Sequence, residues 1–228
     1  MAAYVRKNAA VPNRVIVTPN PEGVMLARRN PAFARAVGLA NARLADGTGI
    51  WLAAWLQGTP LPGRVRGLDV TYALFERLSR QGAFTAYFLG GKPGVAEAAK
   101  TRMEEKFPNL RVAGTQHGFF DLDSPEEEAV LADIRQAAPD ILLVCMGMPR
   151  AEIWAVTHRN LPARITLCVG GTLDIMAGTA TLAPAWLRAI GLEWLYRLKK
   201  QPERWRRMVD IPRFMWAVWV DRFGGGHA

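Results

Sequence analysis

Residues 139–152 read PDILLVCMGMPRAE, and this stretch decides the fold class. The apolar run Asp140–Met146 predicts a strand that is buried on both faces. Small and polar residues follow it at once, from Gly147 to Arg150. Continuous apolar strands are typical of parallel sheets, because helices cover both faces of such sheets.

The same pattern extends from this stretch in both directions, up to about residue 175. Five further strands are predicted: Arg14–Val17, Ala42–Ala45, Thr85–Leu89, Arg111–Gly114 and Arg164–Val169. Helix-like segments lie between them, among them Pro93–Phe107 and Ser124–Ala138. The second opens with a capping box, Ser124 to Glu127, and has proline at its first position. We therefore predict an α/β fold with a Rossmann-like, mostly parallel sheet and helices on both faces.

The character of the sequence changes after Asp174, where long helical stretches rich in Trp and Arg begin. From Trp186 onward the chain holds nine Lys and Arg, four Asp and Glu, and five of its eight tryptophans. Such a composition suits an anionic membrane interface. We predict an α/β catalytic core at 1–180 and a helical membrane-binding appendage at 181–228.

Composition excludes several classes of protein. Half of the residues are hydrophobic, which excludes a disordered chain. Cys145 and Cys168 lie in separate apolar runs and indicate buried thiols in a cytoplasmic protein; a disulfide is the alternative, which nothing in the sequence requires. The N-terminus lacks the apolar core of a signal peptide, and no window has the roughly 18 apolar residues of a transmembrane helix.

The three histidines are scattered along the chain, so we predict no metal site. We also predict no cofactor.

In a parallel sheet the ligand binds at the carboxyl ends of the strands. Small or polar residues follow five of the predicted strands, at 18–20, 46–49, 90–94, 147–150 and 170–172. Together these loops predict a cleft of the size of a nucleotide.

Three of the motifs have two readings each. Asp46 opens the loop DGTG, either as a general base toward a hydroxyl or as part of an Asp-Gly turn. The loop GGKPG at 90–94 could bind phosphate through its N–H groups, or could be a tight strand-to-helix turn. Asp121 and Asp123 have the D-x-D spacing of many metal-dependent sugar transferases. They also precede a helix, where acids are favoured, and this second reading is the stronger one.

The C-terminal run at 195–207 is rich in arginine. Arg197, Lys200, Arg204 and Arg207 share one face if a helix continues past Pro202. Guanidinium groups on one face suit a diphosphate, which accepts bidentate hydrogen bonds. The alternative is a solvated basic face.

Together these residues resemble the WecG/TagA/CpsF family of glycosyltransferases, in the family's order and over nearly the whole chain. The matching segments are TPN (18–20), ADGTGI (45–50), RVRGLDV (64–70), YFLGGKPGVAE (87–97), HGFF (117–120), PDILLVCMGMPRAE (139–152), CVGGTLDIMAG (168–178) and APAWLRAIGLEWLYRLKKQPERWRR (183–207). GLEWLYRL followed by P-x-R-x-x-R is the distinctive piece.

The resemblance implies a metal-independent, inverting transfer of a sugar from a UDP-sugar donor to a sugar on undecaprenyl diphosphate. It implies a base at Asp46 and a pocket that includes Thr18, Asn20 and Arg64. The arginines that would meet the acceptor's polyprenyl diphosphate are Arg197, Arg204 and Arg207. Further candidate substrate-binding positions lie in and beside the strand-end loops, at Gly147, Pro149, Glu152, Gly170 and Gly171.

Two departures from the family pattern affect the choice of donor. The family's Pro-Lys-Gln-Glu is here PRAE at 149–152, so the glutamine amide is missing at Ala151, and its Arg-Ala-Pro is here Leu182-Ala183-Pro184. A missing pocket amide removes a group that could distinguish sugar hydroxyls. The transferred sugar is therefore of the N-acetylmannosamine type, its uronic acid, or another hexose.

The remaining expectations concern partners, location and alternative functions. The resemblance implies a peripheral enzyme on the inner face of the bacterial inner membrane, with an anionic membrane surface as partner and no nucleic acid. A homo-oligomer is compatible with the sequence. The alternatives are an NAD-dependent oxidoreductase, which lacks its G-x-G-x-x-G fingerprint here, and a basic nucleic-acid-binding module, which the isoelectric point near 10.1 would suit.

Overall fold

The computed structural model describes residues 12–200, 205 and 209–224. In these ranges the strands are β1 (Arg14–Val17), β2 (Ala42–Arg43), β3 (Phe84–Gly90), β4 (Leu110–Gln116), β5 (Ile141–Cys145) and β6 (Ile165–Cys168). The helices are α1 (Pro21–Arg29), α2 (Pro31–Leu39), α3 (Thr48–Leu56), α4 (Gly67–Ser79), α5 (Val95–Lys106), α6 (Pro125–Ala137), α7 (Arg150–Thr157), α8 (Thr172–Ala177), α9 (Ala185–Ala189), α10 (Glu193–Lys200) and α11 (Asp210–Phe223).

The strands form one sheet in the order β2-β1-β6-β5-β3-β4, and all the strand pairs are parallel. At least one helix separates every two consecutive strands. Such a crossover is what lets the next strand run in the same direction. The predicted α/β fold is therefore confirmed, and among the described strands the sheet is wholly rather than mostly parallel.

Helices cover both faces of the sheet, as predicted. Along β3, Tyr87 and Leu89 pack in one apolar cluster with Ile134 of α6 and Trp154 of α7. Alternate residues of β3 point to the other face. There the ring of Phe88 stacks on Phe75 of α4, with ring centroids 6.3 Å apart.

The predicted boundaries of most elements lie within two residues of the observed ones. The largest differences are at β2, which ends at Arg43 instead of Ala45, and at β4, which spans Leu110–Gln116 instead of Arg111–Gly114. β2 ends at Arg43 because Arg43 pairs with Val17, the last residue of its partner strand β1. The N–H of Asp46 donates to the carbonyl of Pro19, and Asp46 forms an isolated parallel bridge with Val65.

The described residues divide into two compact units. The sheet unit comprises 12–17, 36–43 and 67–181 and contains all six strands. The helical unit comprises 18–35, 44–66, 182–200, 205 and 209–224. Two stretches from the first third of the chain thus cluster with the C-terminal helices. The predicted division into a catalytic core and an appendage at residue 181 stays a prediction.

Within the helical unit, α11 is attached to α1 by an ion pair. Nη1 of Arg29 donates to Oδ1 of Asp210 at 2.9 Å, and Nη2 of Arg29 donates to Oδ2. Asp210 is 1% exposed, and the hydrogen bond from Arg29 holds its pKa below the usual value. Arg213 adds a second cation, with its Nη1 at 3.5 Å from Oδ1. A buried carboxylate with two cationic partners fixes the start of α11.

A second contact attaches α11 to α3. Nε2 of Gln57, which caps the end of α3, donates to Oδ2 of Asp221 at 3.0 Å and to the carbonyl of Val218 at 3.3 Å. None of the helices in the described ranges is both long enough and apolar enough to cross a bilayer.

Candidate active site

Asp46 lies in a loop of the helical unit that two backbone hydrogen bonds hold in place. Its own N–H donates to Pro19 at 3.0 Å, and the N–H of Gly47 donates to Val65 at 2.9 Å. Gly47 has φ 87° and caps the start of α3, so turn geometry accounts for the glycine. The same geometry does not explain why residue 46 is an aspartate. The backbone of Asp46 forms the β-bridge with Val65. Asp46 as a whole is partly exposed.

Arg64 lies beside this loop, because its neighbour Val65 is the bridge partner of Asp46. Nη1 of Arg64 is 3.5 Å from Oγ1 of Thr48 and 3.5 Å from the carbonyl oxygen of Arg188. Its guanidinium carbon lies 5.6 Å from the ring centroid of Trp51. The structure thus places the predicted base and one predicted pocket cation in the same part of the helical unit.

The C-terminal helices approach the same loop at three points. The carbonyl of Arg188 meets Arg64 as above, and a Cβ added to Gly191 would lie 2.9 Å from Cγ2 of Thr48. The carboxylate of Glu193, at the start of α10, lies 3.9 Å from Nη1 of Arg66. The turn between α9 and α10 therefore packs against the residues that flank Asp46.

Thr18 and Asn20 also belong to the helical unit. Thr18 is buried. Asn20 is the N-cap of α1, and its Oδ1 accepts a hydrogen bond from the N–H of Gly23 at 2.8 Å. This gives Asn20 a structural role that the sequence analysis did not predict, although asparagine before proline is a common helix start.

Of the three candidate arginines, the structure describes the backbone of one. Arg197 lies in α10, and the basic run up to Lys200 is helical. Arg204 and Arg207 lie outside the described residues, and so does the predicted face that they would share with Arg197.

The other candidate positions belong to the sheet unit, at the carboxyl ends of β5 and β6. Gly147 and Gly170 have φ values of 77° and 51°, which favour glycine. Pro149 caps the start of α7 after a cis peptide bond, and Gly171 caps the start of α8. Glu152 is buried in the first turn of α7. Strand-to-helix turns of this kind place helix N-termini at the edge where parallel sheets bind ligands.

The loop at 90–94 is a tight turn. The N–H of Gly91 donates to the carbonyl of Cys145 at 3.3 Å, and the N–H of Gly118 donates to that of Gly91 at 2.9 Å. A Cβ added to Gly90 would lie 2.4 Å from the carbonyl oxygen of Cys145. The N–H of Gly91 is thus bonded to the end of β5, and Gly90 lies so close to β5 that no side chain fits there. These contacts favour the turn reading of GGKPG over the phosphate-binding reading.

Arg150 and Ala151, where this chain departs from the family pattern, both have structural roles. Nη2 of Arg150 donates to the carbonyl of Phe120, and the guanidinium lies over the Phe120 ring at 4.9 Å. Ala151 is 1% exposed and belongs to the apolar cluster beneath the sheet. The position of the missing glutamine is therefore part of the core.

Asp121 and Asp123 form the start of α6, as predicted. Ser124 is the N-cap, and its Oγ accepts from the N–H of Glu127 at 3.3 Å. Oε2 of Glu127 accepts from the N–H of Asp123 at 2.5 Å, one residue before the N-cap, so Glu127 reaches back as in a capping box. Oε1 of Glu127 accepts from Nε1 of Trp154 at 2.6 Å. The described part of the chain contains no group of three or more potential metal ligands.

We expect activity to persist in excess EDTA, because the D-x-D segment serves the capping box of α6. The measurement is the initial rate of sugar transfer with and without EDTA, using enzyme dialysed against the chelator beforehand. Complete loss of activity that magnesium or manganese restores would contradict this prediction.

One protein-family model matches the sequence of this chain. The model of the glycosyl transferase WecG/TagA/CpsF family covers residues 1–228. The chain belongs to this family. The resemblance inferred from the sequence is thus confirmed, and membership makes the protein a glycosyltransferase. The oxidoreductase and nucleic-acid-binding alternatives are set aside.

Several proteins with similar sequences share one name, which describes a single reaction. A protein of Bacillus spizizenii is 31% identical over 204 residues, which cover 89% of this chain and 77% of the relative. Proteins of two Staphylococcus aureus strains, MW2 and MRSA252, are each 32% identical over 212 residues, which cover 92% of this chain and 82% of the relative. All three are named N-acetylglucosaminyldiphosphoundecaprenol N-acetyl-β-D-mannosaminyltransferase.

Proposed function

We propose that this glycosyltransferase moves N-acetylmannosamine from UDP to an N-acetylglucosamine that is linked to undecaprenyl diphosphate. The names of the relatives support both the donor sugar and the acceptor. The observation that carries the proposal is the neighbourhood of Asp46: this partly exposed residue forms a bridge with Val65, and the turn between α9 and α10 packs against the adjacent Thr48 and Arg64. The proposed location is the inner face of the bacterial inner membrane.

In the proposed reaction Asp46 is the general base. The acceptor hydroxyl attacks the anomeric carbon of the donor sugar while its proton passes to the Asp46 carboxylate. The bond from the anomeric carbon to the UDP oxygen breaks on the opposite face, so the configuration inverts. UDP leaves with the bonding electron pair. A carboxylate in this role contributes about 10²–10⁴ in rate.

The leaving diphosphate needs positive charge or N–H donors, which this protein supplies from side chains and helix starts. Arg64 has its guanidinium within 3.5 Å of Thr48 and of the Arg188 carbonyl, and a guanidinium is suited to bind phosphate oxygens. Gly147, Pro149, Glu152, Gly170 and Gly171 of the sheet unit stay predicted substrate-binding positions. Thr18 and Asn20 complete the proposed pocket in the helical unit.

A thermal-shift screen tests the donor proposal. A ligand that binds the folded protein raises its free energy of unfolding by mass action, by about 2.7 kcal/mol at one hundred times Kd, and the melting temperature rises with it. We expect stabilisation by UDP and more by UDP-N-acetylmannosamine, and none by NAD. If the UDP derivative of the uronic acid of N-acetylmannosamine, or another UDP-hexose, gives a larger shift, that compound would be assigned as the donor instead. No shift with any uridine nucleotide would contradict the proposed function.

Lysine substitutions test the proposed role of the C-terminal arginines. Arg197→Lys, Arg204→Lys and Arg207→Lys keep the charge but lose the planar fork that binds a diphosphate in bidentate fashion. We expect these variants to bind anionic vesicles normally. We expect each to transfer sugar to the lipid-linked acceptor at least about tenfold more slowly, because one charge-assisted hydrogen bond to the diphosphate is lost. Co-sedimentation and turnover are measured on the same preparations.

Arg222→Lys on α11 is the matched control, since this exposed arginine contacts the ring of Phe223 and has no proposed role in the site. Full turnover in all three test variants would show that the arginines provide charge alone.

A further inference from the structure

Helix α3 is apolar on every side and yet lies at the surface. Its nine residues, TGIWLAAWL, include no charged side chain. Of these residues only Ala53 is buried, and Trp55 is 60% exposed. A helix that is apolar all round normally lies inside a protein or in lipid. Within the described structure α3 has protein on only part of its circumference.

Helix α11 exposes an aromatic surface next to the end of α3. Trp216, Trp219 and Phe223 are 66%, 51% and 59% exposed. The rings of Trp216 and Trp219 stack with centroids 5.4 Å apart, and Trp219 lies 5.9 Å from Phe223. The hydrogen bonds from Gln57 to Val218 and Asp221 join the end of α3 to this part of α11.

Exposed apolar side chains and net charge are both concentrated in the helical unit. Of the twelve large hydrophobic side chains exposed in the described ranges, nine belong to it. The stretches 18–35, 44–66 and 182–228 hold fourteen Lys and Arg against six Asp and Glu, so they carry +8 of the chain's +9. Apolar surface together with positive charge is complementary to an anionic bilayer.

We propose that α3 is a lipid-contacting element and that Trp55 enters the membrane interface together with Trp216, Trp219 and Phe223 of α11. The membrane surface thus includes a part of the chain far from the C-terminus. This inference rests on the proposed function, because a lipid-linked acceptor must reach Asp46, which precedes α3 by two residues. A second copy of the chain is a less favourable partner for this surface than lipid is, because two helical units of net charge +8 repel each other.

A dye that reports polarity tests the position of α3 directly. The full-length chain is given a Trp55→Cys substitution and labelled there with an environment-sensitive fluorophore. Burial raises the pKa of the Cys145 thiol to about 12 and raises that of Cys168 as well, so labelling at neutral pH is confined to the introduced thiol. A Trp219→Cys variant reports on α11. A Leu39→Cys variant is the control, because Leu39 is 51% exposed but lies in the sheet unit.

With vesicles of equal parts phosphatidylglycerol and phosphatidylethanolamine, we expect emission at 55 and 219 to shift to the blue and emission at 39 to stay unchanged. A protein that co-sediments while only position 219 shifts would overturn the proposal for α3. A shift at 39 as well would indicate nonspecific adsorption and would also overturn it. A concentration-dependent shift at 55 without vesicles would assign the surface to a second copy of the chain.

Partitioning of an unlabelled variant gives an independent measure. Trp55→Gln is expected to lower the vesicle partition coefficient by about tenfold, from the apolar area that the indole no longer buries. Leu39→Gln is expected to leave it unchanged. If the wild type does not co-sediment at all, the membrane surface is refuted, whereas transfer to a short-chain, water-soluble acceptor tests the proposed reaction separately.

Discussion

An Asp46→Asn variant is expected to lose about 10²–10⁴ in turnover. Asparagine has the shape of aspartate but cannot take the proton of the acceptor hydroxyl. The backbone hydrogen bonds to Pro19 and Val65 do not involve the carboxylate, so the loop should keep its conformation. The measurements are kcat for sugar transfer and the thermal shift caused by UDP, which should remain.

Asp121→Asn is the matched control, because it makes the same chemical change in an exposed acid at the start of α6. Its turnover should equal that of the wild type. Turnover of Asp46→Asn within about tenfold of the wild type would rule out Asp46 as the general base.

The largest loss of stability is expected from Gly90→Ala. Gly90 has φ 139°, and an added Cβ would lie 2.4 Å from the carbonyl oxygen and 2.7 Å from the Cα of Cys145. Relief requires β3 and β5 to separate at the centre of the sheet. We expect the free energy of unfolding to fall by about 3 kcal/mol, from backbone strain and overpacking together. Urea denaturation followed by circular dichroism measures this change.

Gly94→Ala separates the two contributions. Gly94 has φ 85°, but a Cβ there would meet no atom within 4 Å. Only the left-handed backbone is penalised, which costs about 1–2 kcal/mol. Equal losses in the two variants would show that the contact with Cys145 is relaxed without cost.

The sheet unit could be predicted from local patterns. β5 and β6 are short runs of apolar residues, and their ends are marked by glycine, so composition alone located them. The start of α6 was predicted from Ser124, Pro125 and Glu127, since a capping box satisfies helix N–H groups with neighbours in sequence. These features depend on residues at most a few positions apart.

The helical unit could not be predicted in the same way. Arg29 and Asp210 are 181 positions apart, and nothing in the local sequence of either residue indicates the other. Val65 as the bridge partner of Asp46, and Thr48 beside Arg64, likewise follow from chain segments that meet only in the fold. The position of Asp46 after a predicted strand made it a candidate base, which the resemblance to the family also implied, whereas Arg64 came from the resemblance alone. The roles of these residues, and of Thr18, Asn20 and the strand-end glycines, stay predictions.

Helix α1 connects the proposed pocket with helix α11. Asn20 caps its first turn, and Arg29 in its last turn is paired with the buried Asp210 of α11. Nine helical residues span about 13 Å at 1.5 Å each. A displacement of α11 on lipid would therefore pass through α1 to the side chain of Asn20. Thermodynamic linkage makes any such effect mutual: a ligand bound more tightly by the membrane-attached protein must increase its affinity for the membrane by the same factor.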